Sequence, residues 1–209
     1  MITIFAQTDK IMLKFMISDA EIGIYSAAST CAAMTSFVFV AIIDSMRPTV
    51  VACKKKSDLS YELNMCRLYA IVIALALEQS LFMTLLAKPI ILILYGRDYI
   101  SSVSVLAIIV WQTTFSYIGS VRNVWILAEE KQRYLWIINL SGALMNVFLN
   151  LILIPRWGAV GAAVASVVTQ VFTNFVIGFF IRPIRYSNML MIRSLHPRFL
   201  TGMLKAVFK

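Results

Sequence analysis

Apolar residues run through this chain in long blocks, each closed by a short polar cluster. The clearest stretch is 135–181, where two apolar runs are separated only by Pro155-Arg156-Trp157-Gly158. Each run has about 20 residues, enough for a helix to cross a hydrocarbon core of about 30 Å. Lipid offers the backbone no hydrogen-bonding partner, so the two runs predict a transmembrane hairpin whose reversal, at Pro155 and Gly158, lies at an interface. Upstream, residues 2–17 read as a short or truncated crossing, and 22–52, 68–94 and 103–128 as three further ones. Polar clusters at 18–21, 54–58, 95–99 and 129–133 separate them. The pattern predicts an all-α integral membrane protein. Its first domain, 1–181, is a bundle of about six transmembrane helices. A basic tail follows over 182–209, carrying Arg185, Arg193, Arg198, Lys205 and Lys209.

Polar residues inside the hairpin recur at helical spacing. Asn139, Gly142, Asn146 and Asn150 share one face of the first run, and Ser166, Gln170, Thr173 and Asn174 one face of the second. Those faces avoid lipid, and serve either as interhelical hydrogen-bonding surfaces or as the wall of a polar cavity. Gly158, Gly161, Ala162, Ala163, Ala165 and Ser166 keep one surface small, so another helix can approach closely.

Composition agrees: 60% of residues are hydrophobic and 14% charged, with a mean hydropathy of +0.83. The net charge of +9 does not indicate nucleic acid, because the basic residues lie in short loops and the tail. They fit orientation and anionic membrane lipids. Lys54, Lys55 and Lys56, the Lys131/Arg133 loop and the tail alternate with the acid-bearing or nearly neutral loops at Ser18, Arg97 and Arg156. Both termini are therefore expected in the cytoplasm. Tyr95, Tyr99, Trp125, Tyr134, Trp136 and Trp157 lie near run ends, as interfacial aromatics do.

A charge at mid-membrane costs at least about 2.5 kcal/mol, so each one needs a partner or a wet cavity. Glu78 stands about 15 Å from the basic residues at either end of its run, Arg67 and Lys88. It is either an ion or substrate contact or the partner of a neighbouring arginine. Asp44 and Arg47 are three residues apart and able to neutralise each other. Arg122 has in-register acids only at its helix end, Glu129 and Glu130, and is expected to face a cavity and an anionic group. Asp9 and Lys10 are adjacent and diverge by about 100°, so they cannot pair. Cys31, Cys53 and Cys66 are isolated. The single histidine, His196, is in the tail, and no catalytic, metal-ligating or cofactor-binding constellation is visible. Gly158-x-x-Gly161 lacks the strand-to-helix setting of a phosphate loop. The chain is read as no enzyme.

Four segments carry a family resemblance: Thr8-Asp9-Lys10-Ile11-Met12-Leu13 with Gly23-Ile24-Tyr25-Ser26-Ala27-Ala28; Lys88-Pro89-Ile90 leading to Tyr95-Gly96; Trp125-Ile126-Leu127-Ala128-Glu129; and Asn146 through Pro155 into Gly158-Ala159-Val160-Gly161-Ala162-Ala163. In their order and spacing the chain resembles the C-terminal half of bacterial polysaccharide or O-antigen flippases of the Wzx type, in the MOP exporter superfamily. The resemblance implies two six-helix bundles around a central cavity, of which this chain is the second. It also implies alternating access that moves an undecaprenyl-pyrophosphate-linked oligosaccharide across the bacterial inner membrane. On that reading the chain is a fragment, a split-gene product or a late start, inactive without its N-terminal bundle. Gln7 and Thr8 stand where family members commonly carry a basic residue. Substrate-path candidates are Arg122, Arg47, Lys10, Asn146, Asn150 and Gln170, and ion-coupling candidates are Glu78, Asp44 and Asp9. A drug or small-solute exporter of the same superfamily and a non-functional membrane fragment are the rival readings.

Overall fold

Helix is the only regular structure among residues 2–196, which the computed structural model describes. Tail positions Arg198, Lys205 and Lys209 lie outside the described residues. In chain order the helices are α1 (Ile2–Met16), α2 (Asp19–Ala33), α3 (Ser36–Lys56), α4 (Asp58–Leu85), α5 (Ala87–Leu94), α6 (Ser102–Ala128), α7 (Leu135–Val171), α8 (Ile177–Phe180) and α9 (Arg185–Ser194). A π-turn, Phe172–Val176, joins α7 to α8.

Among the described residues four stretches are long and apolar enough to cross a membrane: Ser36–Lys54, Asp58–Leu85, Ser102–Ala128 and Gln132–Phe180. The last has 49 residues, about 74 Å if straight and more than twice a bilayer core. It is folded in two at Gly158, whose φ of 53° and ψ of −131° leave the helical region. Pro155 stays within the first limb. A Cβ on Gly161 would lie 2.6 Å from the carbonyl carbon of Leu153, whereas eight residues of straight helix would hold the two positions about 12 Å apart. The chain therefore doubles back.

Two of the predicted runs are interrupted. The run 22–52 breaks at Met34-Thr35, where Thr35 has φ −92° and ψ 2°. The run 68–94 begins earlier, at Asp58 behind a Ser57 cap, and breaks at Leu86. Pro89 explains the second break, because its ring would clash with the Leu85 carbonyl one turn back.

Contacts sort the loops onto two ends. At one end the Glu21 carboxylate accepts from Ala159 N–H at 2.5 Å, and Ser102 donates to the Ile24 carbonyl at 2.9 Å. The loops at Ser18, Arg97 and Arg156 are thus neighbours. At the other end Lys54 pairs with Glu129 at 2.9 Å and donates to the Ala128 carbonyl at 2.6 Å. There α9 runs along the first turns of α4: Tyr69 meets Ser187 at 2.8 Å, and Arg193 meets Glu62 at 3.5 Å. The Tyr186 hydroxyl also donates to Glu62, and that bond, more than burial, pushes its pKa up. Every basic cluster that the alternation groups together, as far as it is described, sits at this second end.

Because Glu21 caps the orphan amides of the returning limb, Glu21→Ala is expected to cost about 1 kcal/mol. The midpoint of thermal unfolding in detergent should fall by about 2–4 °C.

The surface is inverted relative to a soluble protein: Phe15, Ile93 and Phe180 are each more than three-quarters exposed. Inside, one apolar cluster gathers Leu13, Tyr25, Ile91, Leu106 and Ala162. A second gathers Met65, Tyr69, Val121, Trp125 and Leu190. Trp125 is therefore a core residue, 1% exposed, and not an interfacial anchor. Its indole lies between the Tyr186 ring and the Lys131 ammonium. Trp136 and Trp157 remain on the surface. Between the clusters α6 carries a buried polar belt, Gln112, Thr113, Thr114 and Ser116. Thr114 and Ser80 join α6 to α4 at 2.6 Å.

Candidate functional site

An open cavity of about 840 Å³, walled more by apolar than by polar atoms, lies among α1, α2, α3 and α6. The break at Met34-Thr35 falls on its wall. Gln7 and Lys10 come from α1, Ser29 and Thr30 from α2, Asp44 and Arg47 from α3, and Gln112, Ser116, Ser120 and Asn123 from α6. Of the sequence candidates, Lys10, Arg47 and Asp44 line it. Arg47 and Asp44 form a half-exposed ion pair at 2.8 Å, which cancels most of each other's field.

Next to this cavity, Asp9 is fully buried and belongs to a different constellation. Its Oδ2 accepts from the Tyr25 hydroxyl at 2.5 Å and from the Ser166 hydroxyl. Its Oδ1 accepts from the Asn150 amide at 2.6 Å and the Asn146 amide at 3.1 Å. One carboxylate thus ties together α1, α2 and both limbs of α7. Asn146 and Asn150 reach it because they are one turn apart on the limb that faces α1. Ser166 reaches it because Gly161, Ala162 and Ala163 let the second limb close in. Hydrogen bonds to a charged group contribute about 1.5–3 kcal/mol each, so four of them offset much of the expense of burying the charge. Asn150 Oδ1 and Thr169 Oγ1 are buried with no hydrogen-bond partner.

Sequence reasoning groups Asn146 and Asn150 with the substrate path and Asp9 with ion coupling; the structure joins all three. It misses Tyr25 and Ser166 as site residues. The available signal was the polar face that already held Ser166, together with the need of any buried acid for donors.

Arg122 does not line the cavity. It is 2% exposed and donates to the Thr173 carbonyl at 2.5 Å and to Asn174 Oδ1 at 3.1 Å. Asn174 in turn donates to Gln170, so Gln170 belongs to this group rather than to the cavity lining. The π-turn supplies the arrangement, since widening the helix frees main-chain carbonyls for a side-chain donor. No carboxylate is within ion-pairing distance of Arg122 among the described residues.

Glu78 also lies away from the cavity. It is on the exposed outer face of α4, beside Leu77, Leu81 and Phe82, and no arginine pairs with it among the described residues. One position further on, Gln79 turns inward, its amide buried with no partner.

No curated protein and no solved structure matches the chain. Residues 1–104 match the model of a family described as "Polysaccharide biosynthesis protein". That region covers α1 to α5 and the first turn of α6, and with them Asp9, Tyr25, Lys10 and Arg47. The chain is thus a helical membrane protein similar, over 1–104, to a polysaccharide biosynthesis family.

Proposed function

We propose that this chain is one half of a membrane flippase for a polysaccharide precursor. The substrate is an oligosaccharide repeat unit carried on undecaprenyl pyrophosphate, moved across the bacterial cytoplasmic membrane. The observation that carries the reading is a cavity of about 840 Å³ that gathers Lys10, Asp44, Arg47 and the polar side chains of α6 on an otherwise apolar wall, inside a bundle whose outer surface is apolar. Charged, hydroxyl and amide groups gathered in such a concavity give a headgroup a route while its lipid tail stays in the bilayer. The family similarity of residues 1–104 supports the same substrate class. Lys10, outside the Asp44–Arg47 pair, is the cation placed to meet pyrophosphate or acidic sugars, Arg47 joins it when an anion displaces Asp44, and Arg122 acts from behind the wall by holding the π-turn. A second helical bundle closes the cavity, and anionic lipids hold the basic end at the cytoplasmic face, with both termini there.

Asp9 is the acid best placed for ion coupling. It is a buried acid whose four contacts are donors, the Asn146 and Asn150 amide nitrogens and the Tyr25 and Ser166 hydroxyls. A proton or a sodium ion that takes its charge must rearrange those donors, which ties its occupancy to the packing of α1, α2 and α7. Asp44 is already paired with Arg47, and Glu78 is on the outer face.

The test is complementation of a bacterial strain that lacks a surface-polysaccharide flippase. The complete transporter, this bundle with its companion, should restore surface glycan. Lys10→Ala/Arg47→Ala should reduce it by more than about tenfold, since each charge-assisted hydrogen bond lost is worth about 1.5–3 kcal/mol. Wild-type glycan from the double variant rejects the cationic path. Drug resistance without any restored glycan would favour the exporter reading instead.

A further inference from the structure

Glu78 is the one charged residue of α4 between Arg67 and Lys88, and packing fixes its depth. Two residues on, Ser80 meets Thr114 at 2.6 Å, and Thr114 stands at the middle of the 27-residue α6. Glu78 is therefore about 3 Å along the axis from that level, in the layer of acyl chains where an unpartnered charge is most costly. It nevertheless faces outward, on the exposed side of α4. Among the described residues no cation pairs with it. Arg67 and Lys88 are each about 15 Å away along the helix. Arg47 is taken by Asp44, and Arg122 is held by Thr173 and Asn174.

The surface around Glu78 is shaped for another helix. Ala74, Glu78, Leu81 and Leu85 follow one another at four, three and four residues, and all are exposed. That spacing seats one helix along a second, and a polar residue within such a seam sets the register. Ala74 keeps the seam low beside the carboxylate, so a second backbone can come close. The opposite face of α4, with Ala76 and Ser80, is packed on α6. Lipid tails would cover Leu81 and Leu85 but offer the carboxylate nothing. A helix with a cation at its own mid-span supplies both the apolar contact and the counter-charge. A second copy of this chain fits less well, because it crosses the membrane in the same orientation and brings another carboxylate to the same depth.

We infer that this face of α4 is the docking seam for a transmembrane helix of another membrane protein, one that carries a lysine or arginine at mid-span opposite Glu78. The inference is independent of the flippase reading, since α4 contributes no residue to the cavity.

The experiment uses the full chain in lipid vesicles, with Cys31, Cys53 and Cys66 replaced and a donor dye on Arg97→Cys. The probe is a synthetic leucine-alanine helix that spans the bilayer, bears an acceptor dye and has one lysine at its centre. Energy transfer is followed against peptide density, beside peptides with leucine or glutamate at the centre. The lysine peptide should associate about tenfold more strongly than the leucine peptide, the equivalent of one charge-assisted hydrogen bond. Glu78→Leu should abolish that preference, Glu78→Gln should weaken it several-fold, and Glu78→Lys should transfer it to the glutamate peptide. In Glu78→Leu/Leu144→Glu the acid moves to another exposed position, on the first limb of α7, and the preference should not return. If it does return, any exposed acid suffices and the seam is overturned. Equal association of the lysine and leucine peptides overturns it as well. Energy transfer between two labelled copies of the chain that is lost in Glu78→Leu would make the occupant a second copy and overturn the cationic partner.

Discussion

Replacing Asp9 by asparagine is expected to leave the bundle folded while removing its response to cations, whereas Asp9→Ala is expected to destabilise it severely. The difference follows from the donors. Asn146 and Asn150 donate to one oxygen of Asp9, and the Tyr25 and Ser166 hydroxyls donate to the other. An asparagine can keep its carbonyl towards the two amides and turn its amino group to the two hydroxyls, which rotate to accept. The geometry survives and the charge is lost. Alanine instead leaves four buried polar groups without their acceptor, at about 3–5 kcal/mol by analogy with a broken buried charge pair. That lowers the thermal midpoint by about 10 °C for a chain of this size. The measurement is thermal unfolding in detergent, with and without sodium and across pH. A cation that binds the folded state should raise the wild-type midpoint by linkage. Asp9→Asn should start from nearly the wild-type midpoint and show no such rise. A full cation response in Asp9→Asn would remove Asp9 from the coupling site.

The class of fold was legible because the apolar runs are long and lipid permits only helices within them. The hairpin at 155–158 was legible because two full crossings flank one glycine and one proline. The break at Leu86 had its cause in plain view in Pro89, and was hidden by the run of apolar residues on either side. Hydropathy registers side chains and not the backbone. The break at Met34-Thr35 carries no proline or glycine at all, and it shows only once α3 is packed against α4 and α6. At the site, helical spacing found the polar face of Asn146 and Asn150. It could not say which acid that face would meet, because Asp9 is more than 130 residues earlier in the chain. The same limit misdirected the reading of Arg122. A search for a nearby carboxylate pointed it at a cavity, whereas its partners are a main-chain carbonyl and an amide exposed by a π-turn that no residue pattern announces. Position near a run end suggests an interfacial Trp125. It is buried because α9, in a segment read as tail, covers it.

Gly161→Ala is expected to disrupt the fold more than any other single-methyl addition in the chain. The added carbon would lie 2.6 Å from the carbonyl carbon of Leu153 and 3.1 Å from the amide nitrogen of Ile154. Both are backbone atoms, so no side-chain rotation relieves the clash. The limbs of the hairpin must separate, and Ser166 moves with the second limb away from Asp9, while Asn146 and Asn150 stay with the first. Overpacking of this kind typically costs about 1–3 kcal/mol. Loss of the Ser166 hydrogen bond adds about 1.5–3 kcal/mol. Two other glycines calibrate the result. Gly158→Ala forces a methyl onto a backbone with φ of 53°, which costs about 1–3 kcal/mol, so it should fall between wild type and Gly161→Ala. Gly23→Ala meets only ordinary contact, 3.8 Å from the Tyr99 ring, and takes glycine out of a helix interior, a gain of about 0.5–1 kcal/mol. The expected order of thermal midpoints in detergent is therefore Gly23→Ala at or above wild type, then Gly158→Ala, then Gly161→Ala. Should Gly161→Ala unfold at the wild-type temperature, the two limbs cannot be in contact at Leu153. Asp9 would then have no route to donors on both of them.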